Sequence, residues 1–210
     1  MSTHVRVIDT PHGEARLHAD RSHRPIAALV LGHGAGGGVE SPDLVTLSEA
    51  LPRRGVSVFR IEQPWRVAGK RVAARPAALD EATVSCVNAI RVRCPMIMGG
   101  RSAGARVACR VGRSVGAVGC LLLAFPLLPP GRHGDSRLPE LLRAGLPAFV
   151  IQGERDAFGN ADAFPGSIDI TQIPAADHSF RVLKSAEISQ TDALARIVDA
   201  TVTWVTTRVS

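Results

Sequence analysis

Short aliphatic runs, most of them bounded by glycine, proline or a polar loop, alternate along this chain with longer segments of helical period. Ile26–Leu31, Val56–Ile61, Pro95–Met98, Val118–Phe125, Ala148–Ile151 and Ser167–Ile173 read as strands, several apolar enough to be buried on both faces. Helical patterns fall between and after them. Pro42 to Arg54 has Ser41 at the N-cap position, Pro42 at the first helical position and Gly55 as its stop. Arg75 to Arg91 places Leu79, Ala82, Cys86, Ala89 and Ile90 on one face. Ala103 to Gly112 and Thr191 to Thr207 complete the series. Alternation of this kind predicts an α/β fold with a mostly parallel, doubly wound sheet. The first two runs behave differently. His4–Asp9 and Glu14–Ala19 alternate apolar and polar residues about Pro11-His12-Gly13, which predicts an N-terminal antiparallel hairpin.

A chain of 210 residues fits one such domain, taken here as residues 1–210, and it has no internal repeat or linker. Charged residues occur throughout Met1–Asp20, so no secretory leader is expected. The longest apolar run, Val115 to Leu128, is interrupted by Gly116, Gly119 and Pro126 and is too short for a membrane span. Cys86, Cys94, Cys109 and Cys120 form neither a C-x-x-C pair nor a zinc-like spacing with histidine, so buried reduced thiols are expected. These features predict a soluble cytoplasmic protein with no membrane partner and no metal. The net charge of +6 comes almost wholly from scattered arginines, with Lys70 and Lys184 the only lysines and no tyrosine to stack on bases. No nucleic-acid partner is expected from that pattern.

The central motif is Gly100-Arg101-Ser102-Ala103-Gly104, a G-x-S-x-G sequence with a strand before it and a helix after it. A serine on so sharp a turn exposes its hydroxyl, and only small residues fit two positions to either side. The helix start beneath it favours negative charge on the reacting oxygen. A second motif, His33-Gly34-Ala35-Gly36-Gly37-Gly38, directly follows the strand Ile26–Leu31. Small residues there let backbone N–H groups converge on an oxyanion, with Ala35 first choice, Gly34 and Gly36 its alternatives, and Ala103 the second donor. The loop lacks the endings of a phosphate-binding P-loop or dinucleotide fingerprint. His33 itself reads as a structural hydrogen-bonding residue.

Serine needs a base, and the base needs an acid to fix its tautomer. Asp156 and His178 each follow a strand, where open α/β sheets place their sites, and they come in the order Ser, Asp, His. Glu154 could replace Asp156, whereas Asp177 adjoins His178 too closely to orient it. His4, His12, His18, His23 and His133 occupy the hairpin or loops without a matching strand end. Arg101 could contact an anionic substrate or be solvated, and Trp65 could line the pocket or pack in the core. Cys109 falls mid-helix and is no nucleophile.

Together these residues resemble the small bacterial α/β-hydrolases grouped with dienelactone-hydrolase-like proteins. That group is related to testis-expressed hydrolase-like proteins and to the hydrolase-like domain of a chromatin-complex subunit. The matching stretches are Leu29–Gly36, Gly99–Ala108, Pro126–Gly131, Gln152–Gly159 and Asp177–Phe180, within a similarity spanning Ile26 to Val205. The resemblance implies the α/β-hydrolase fold and assigns Ser102, Asp156 and His178 as nucleophile, acid and base. It departs at Arg101 and Ala103, where the family usually has Lys and Met. About twenty residues separate Val118–Phe125 from Ala148–Ile151, room for one short helix and minimal or no lid. The expected activity is hydrolysis of small ester or thioester substrates through an acyl-enzyme, without a cofactor. An acyltransferase with the same triad, or a non-catalytic interaction module, remain the alternatives.

Overall fold

A computed structural model describes residues 3–129, 131 and 134–209; His133 and Pro130, named above, lie outside the described residues. Eight strands form one sheet: β1 (His4–Thr10), β2 (Gly13–Asp20), β3 (Ala27–Gly32), β4 (Val56–Glu62), β5 (Met96–Arg101), β6 (Gly119–Leu123), β7 (Ala148–Gly153) and β8 (Asp169–Ile173). Their order is β1-β2-β4-β3-β5-β6-β7-β8. The β1–β2 hairpin pairs antiparallel and joins β4 antiparallel, and every pair from β4 to β8 is parallel. Strand order thus reverses beside β3, and the carboxyl ends of β3, β5, β7 and β8 face one edge of the molecule.

Side chains alternate across the buried strands. On one face Leu29, Leu31, Val58, Ile97, Leu121 and Ile151 pack against α1 (Pro42–Ala50) and the long terminal helix α6 (Gln190–Val209). Ala28, Val30, Phe59, Met98, Leu122 and Val150 point the other way, towards α3 (Pro76–Asn88) and α4 (Ala103–Val111). Burying each leucine-sized side chain contributes about 1.5–3 kcal/mol. The α2 turn (Pro64–Val67) carries Trp65, and between β6 and β7 lies α5 (Leu138–Leu142). There is no lid. Among the described residues no helix is long and apolar enough to cross a membrane.

The first helix differs from expectation for local reasons. The helix expected over Pro42–Arg54 is α-helical only to Ala50 and tightens into a 3₁₀ turn over Leu51–Arg54. Pro52 has no N–H and its ring opposes the preceding turn, which ends the α-helical ladder. Gly55 (φ 83°) then closes the turn by donating to Leu51 and Pro52 carbonyls. Ser41 does occupy the N-cap position, but its hydroxyl donates to the Gly38 carbonyl (2.9 Å) instead of capping α1.

Candidate active site

Ser102 sits between β5 and α4 at φ 53°, ψ −109°, a conformation that costs a non-glycine residue about 1–3 kcal/mol. Neighbouring bonds hold it there. Its N–H donates to Leu123 O (2.9 Å), and its carbonyl accepts from Arg106 N (3.2 Å). The flanking glycines are required by contact with β3. A Cβ on Gly104 would overlap the Gly32 carbonyl, and one on Gly100 would lie 2.5 Å from the same oxygen.

The structure brings Ser102, His178 and Asp156 into one hydrogen-bonded chain. His178 Nε2 lies 3.0 Å from Ser102 Oγ, and Nδ1 lies 2.7 Å from Asp156 Oδ2. This geometry fits a neutral imidazole donating from Nδ1 and accepting the serine proton at Nε2. The Asp156 side chain is fully buried and His178 is one-fifth exposed. Asp156 is held by the Phe158 N–H on Oδ1 (2.8 Å) and by Gln152 Nε2 on Oδ2 (2.9 Å). Gln152 also donates to the Gly159 and Phe125 carbonyls. Phe158 lies against the imidazole, with ring centroids 4.4 Å apart. Glu154 has a different use, accepting the Ala175 N–H.

His178 sits in a tight loop after β8. Asp177 Oδ1 accepts the N–H groups of Ser179 (2.7 Å) and Arg181 (3.0 Å), and Phe180 adopts φ 53°. Asp177 therefore shapes the loop that presents its neighbour.

Gly34, Ala35 and Ala103 line one recess beside Ser102, and a Cβ on Gly34 would touch Ser102 Cβ at 3.5 Å. Gly36 does not line it. As the first residue of α4, Ala103 has no intrahelical acceptor for its N–H. Neither this group nor the Ala35 N–H makes a hydrogen bond among the described residues. His33 fixes the loop, with Nδ1 on the Gly34 carbonyl (2.8 Å) and Nε2 accepting the Gln63 N–H (3.1 Å). Burial holds its pKa below the ordinary value, which preserves the neutral form those two bonds require. Trp65 serves both readings at once: it is buried, it packs on His33 (centroids 5.6 Å apart), and it lines the recess with Leu79, Met98 and Val107.

Arg101 is not solvated. Its guanidinium is buried, donating from Nη2 to the His178 carbonyl (2.9 Å), with Nε 3.5 Å from the buried carboxylate of Asp43. Asp43 and Gln152 escaped sequence reasoning. The first reads as an ordinary acid in a helix's first turn. Gln152 had one usable signal, a polar residue at the last turn of an otherwise apolar strand.

With this geometry established, residues 25–206 match the α/β-hydrolase domain family, and the chain belongs to it. Among solved structures it is similar to an α/β serine hydrolase without a lid from Xanthomonas campestris, at a TM-score of 0.74 and 16% identity, covering 97% of this chain and 95% of that one. A dienelactone hydrolase from Anabaena variabilis aligns at 0.73 and 16%, covering 99% and 98%. Est1E from Butyrivibrio proteoclasticus aligns at 0.70 and 12%, covering 96% and 99%. At these identities the likeness is one of fold. No curated protein sequence matches the chain.

Proposed function

We propose that this α/β-hydrolase is a serine esterase or thioesterase for small acyl substrates, acting as a single catalytic domain over residues 1–210. The observation that carries the reading is the unbroken Ser102–His178–Asp156 chain, at 3.0 and 2.7 Å, on a strained serine. Ser102 Oγ attacks the acyl carbonyl while its proton passes to His178 Nε2. The tetrahedral oxyanion accepts hydrogen bonds from the N–H groups of Ala103 and the Gly34–Gly36 loop, with Ala35 the leading donor. On collapse, the alcohol or thiol leaves with the His178 proton. Water, deprotonated by the same nitrogen, then releases the acid and restores the serine. Asp156 holds the tautomer and faces the transient imidazolium.

Small acyl groups are favoured by two features. Among the described residues no lid covers the site, and the apolar recess beside Ala103 is narrow, admitting roughly one water-sized sphere. A cytoplasmic setting is supported by four cysteines that are all free thiols. Kinship with the testis-expressed and chromatin-complex proteins rests on the sequence stretches quoted above.

A fluorophosphonate probe tests the reading. Wild-type protein should label and Ser102→Ala should not, and a panel of esters and thioesters should be hydrolysed only by the former. Folded wild-type protein that neither labels nor turns over any ester would overturn it.

A further inference from the structure

Residues 101 and 102, adjacent in sequence, both bond to residue 178. Ser102 Oγ meets the imidazole at 3.0 Å, and Arg101 Nη2 meets the main-chain carbonyl at 2.9 Å. The base is thus gripped twice from the nucleophile's own turn. Behind Arg101 lies Asp43 at the start of α1, 1% exposed.

Stability does not account for this pair. Burying two charges is costly, and the cost is recovered only with close pairing and full hydrogen bonding. Here the Nε–Oδ2 separation is 3.5 Å. Neither Arg101 Nε nor either Asp43 oxygen has a partner in full hydrogen-bond geometry among the described residues. Burial pushes the Asp43 carboxyl up; the Arg101 charge, then the N–H groups of Asp43 and Leu44 at the start of α1 and the nearby His178, oppose that only in part. Among the described residues the one complete hydrogen bond of the guanidinium goes to His178.

We propose that Arg101, oriented by Asp43, is a positioning residue that fixes the main chain of His178 at hydrogen-bonding distance from Ser102; this rests on the serine-hydrolase reading above. A planar guanidinium can face Asp43 with Nε while Nη2 reaches the carbonyl. Lysine, with one ammonium at the end of a flexible stem, cannot hold both directions at once. The residue does not touch the reacting atoms, and its effect passes through the base.

The test compares wild type, Arg101→Met, Arg101→Lys and Asp43→Asn in hydrolysis of a short-chain ester, with thermal unfolding measured on each. In Arg101→Met, Asp43 can take up a proton, so no buried charge is stranded and the fold should keep its wild-type melting temperature. Its kcat should fall about 10- to 100-fold with KM within about twofold, because sub-ångström loosening of the base costs rate rather than binding. Arg101→Lys should recover part of that loss and Asp43→Asn should show a smaller one. The proposal is overturned if folded Arg101→Met matches wild-type kcat, or if the whole loss lies in KM. Should Arg101→Met fail to fold, Arg101→Lys decides: a wild-type kcat there overturns the proposal, and a reduced kcat at unchanged KM sustains it. A wild type that hydrolyses no ester at all removes the hydrolase reading, and this one with it.

Discussion

Gly104, on the first turn of α4, lies so close to the backbone of Gly32 at the end of β3 that no methyl group fits between them. The contact sets how deeply the start of α4 seats into the sheet, and Ser102 and Ala103 both sit at that start. Gly104→Ala must therefore displace backbone, and is expected to cost about 3 kcal/mol or more in denaturant unfolding. Gly36→Ala is its control, since nothing lies within 4 Å of the added carbon. It should change stability by less than about 0.5 kcal/mol.

Ser102 holds a backbone conformation suited to glycine. Ser102→Gly should abolish hydrolysis while raising unfolding stability by about 1 kcal/mol, after glycine's larger unfolded-state entropy is discounted. A variant less stable than wild type in calorimetry would mean that the turn at φ 53° is unstrained.

Gln152 is fully buried and bridges Asp156 to the Gly159 and Phe125 carbonyls. Gln152→Leu removes the two N–H groups shared among these three acceptors and takes from Asp156 Oδ2 its partner other than His178. Stability should drop by about 1–3 kcal/mol. The kcat should fall with it, because the acid loses a constraint on its orientation. Unfolding curves and steady-state kinetics on one preparation would check both.

The imidazole of His33 titrates below its ordinary 6.5 because it is buried, against the pull of the Glu62 and Glu40 carboxylates. The unfolded chain therefore takes up a proton that the native chain refuses. The stability contributed by neutral His33 is complete above that ordinary value and is lost as pH falls below it. From about pH 7 to about pH 5, wild type should lose unfolding free energy faster than His33→Gln, by at most about 1.4 kcal/mol per pH unit. Parallel profiles for the two proteins would contradict this.

Acetyl and butyryl esters should be hydrolysed with higher kcat/KM than palmitoyl esters, since the recess beside Ala103 is narrow and nothing covers a long chain. Equal turnover of the palmitoyl ester would show that the acyl group lies elsewhere.

The parallel sheet, the hairpin and the glycine-flanked serine were legible in the sequence because each depends on local patterning: apolar runs, a turn between alternating segments, small residues about one position. Ser102, Asp156 and His178 could be selected together because all three follow strands. What stayed hidden depends on contact between distant segments. The roles of Arg101 and Asp43 exist only where α1 meets the His178 loop, and a four-residue helix such as α2 is too short to show a period. Strand ends shifted for related reasons: β6 stops at Leu123 because Ala124 turns to φ 46°, although the apolar run continues to Phe125.

The relay draws its members from the turn after β5, from the turn after β7 and from the loop after β8, with β6 hydrogen-bonded between β5 and β7. Its serine and its histidine lie 76 residues apart in the chain. No fragment that omits any of these four neighbours can assemble it, and a slip in any of their pairings would pull the members apart. On the proposed mechanism, turnover would be a gauge of long-range strand pairing, and recovery of activity during refolding should coincide with the last parallel strand joining its neighbour rather than with early helix formation.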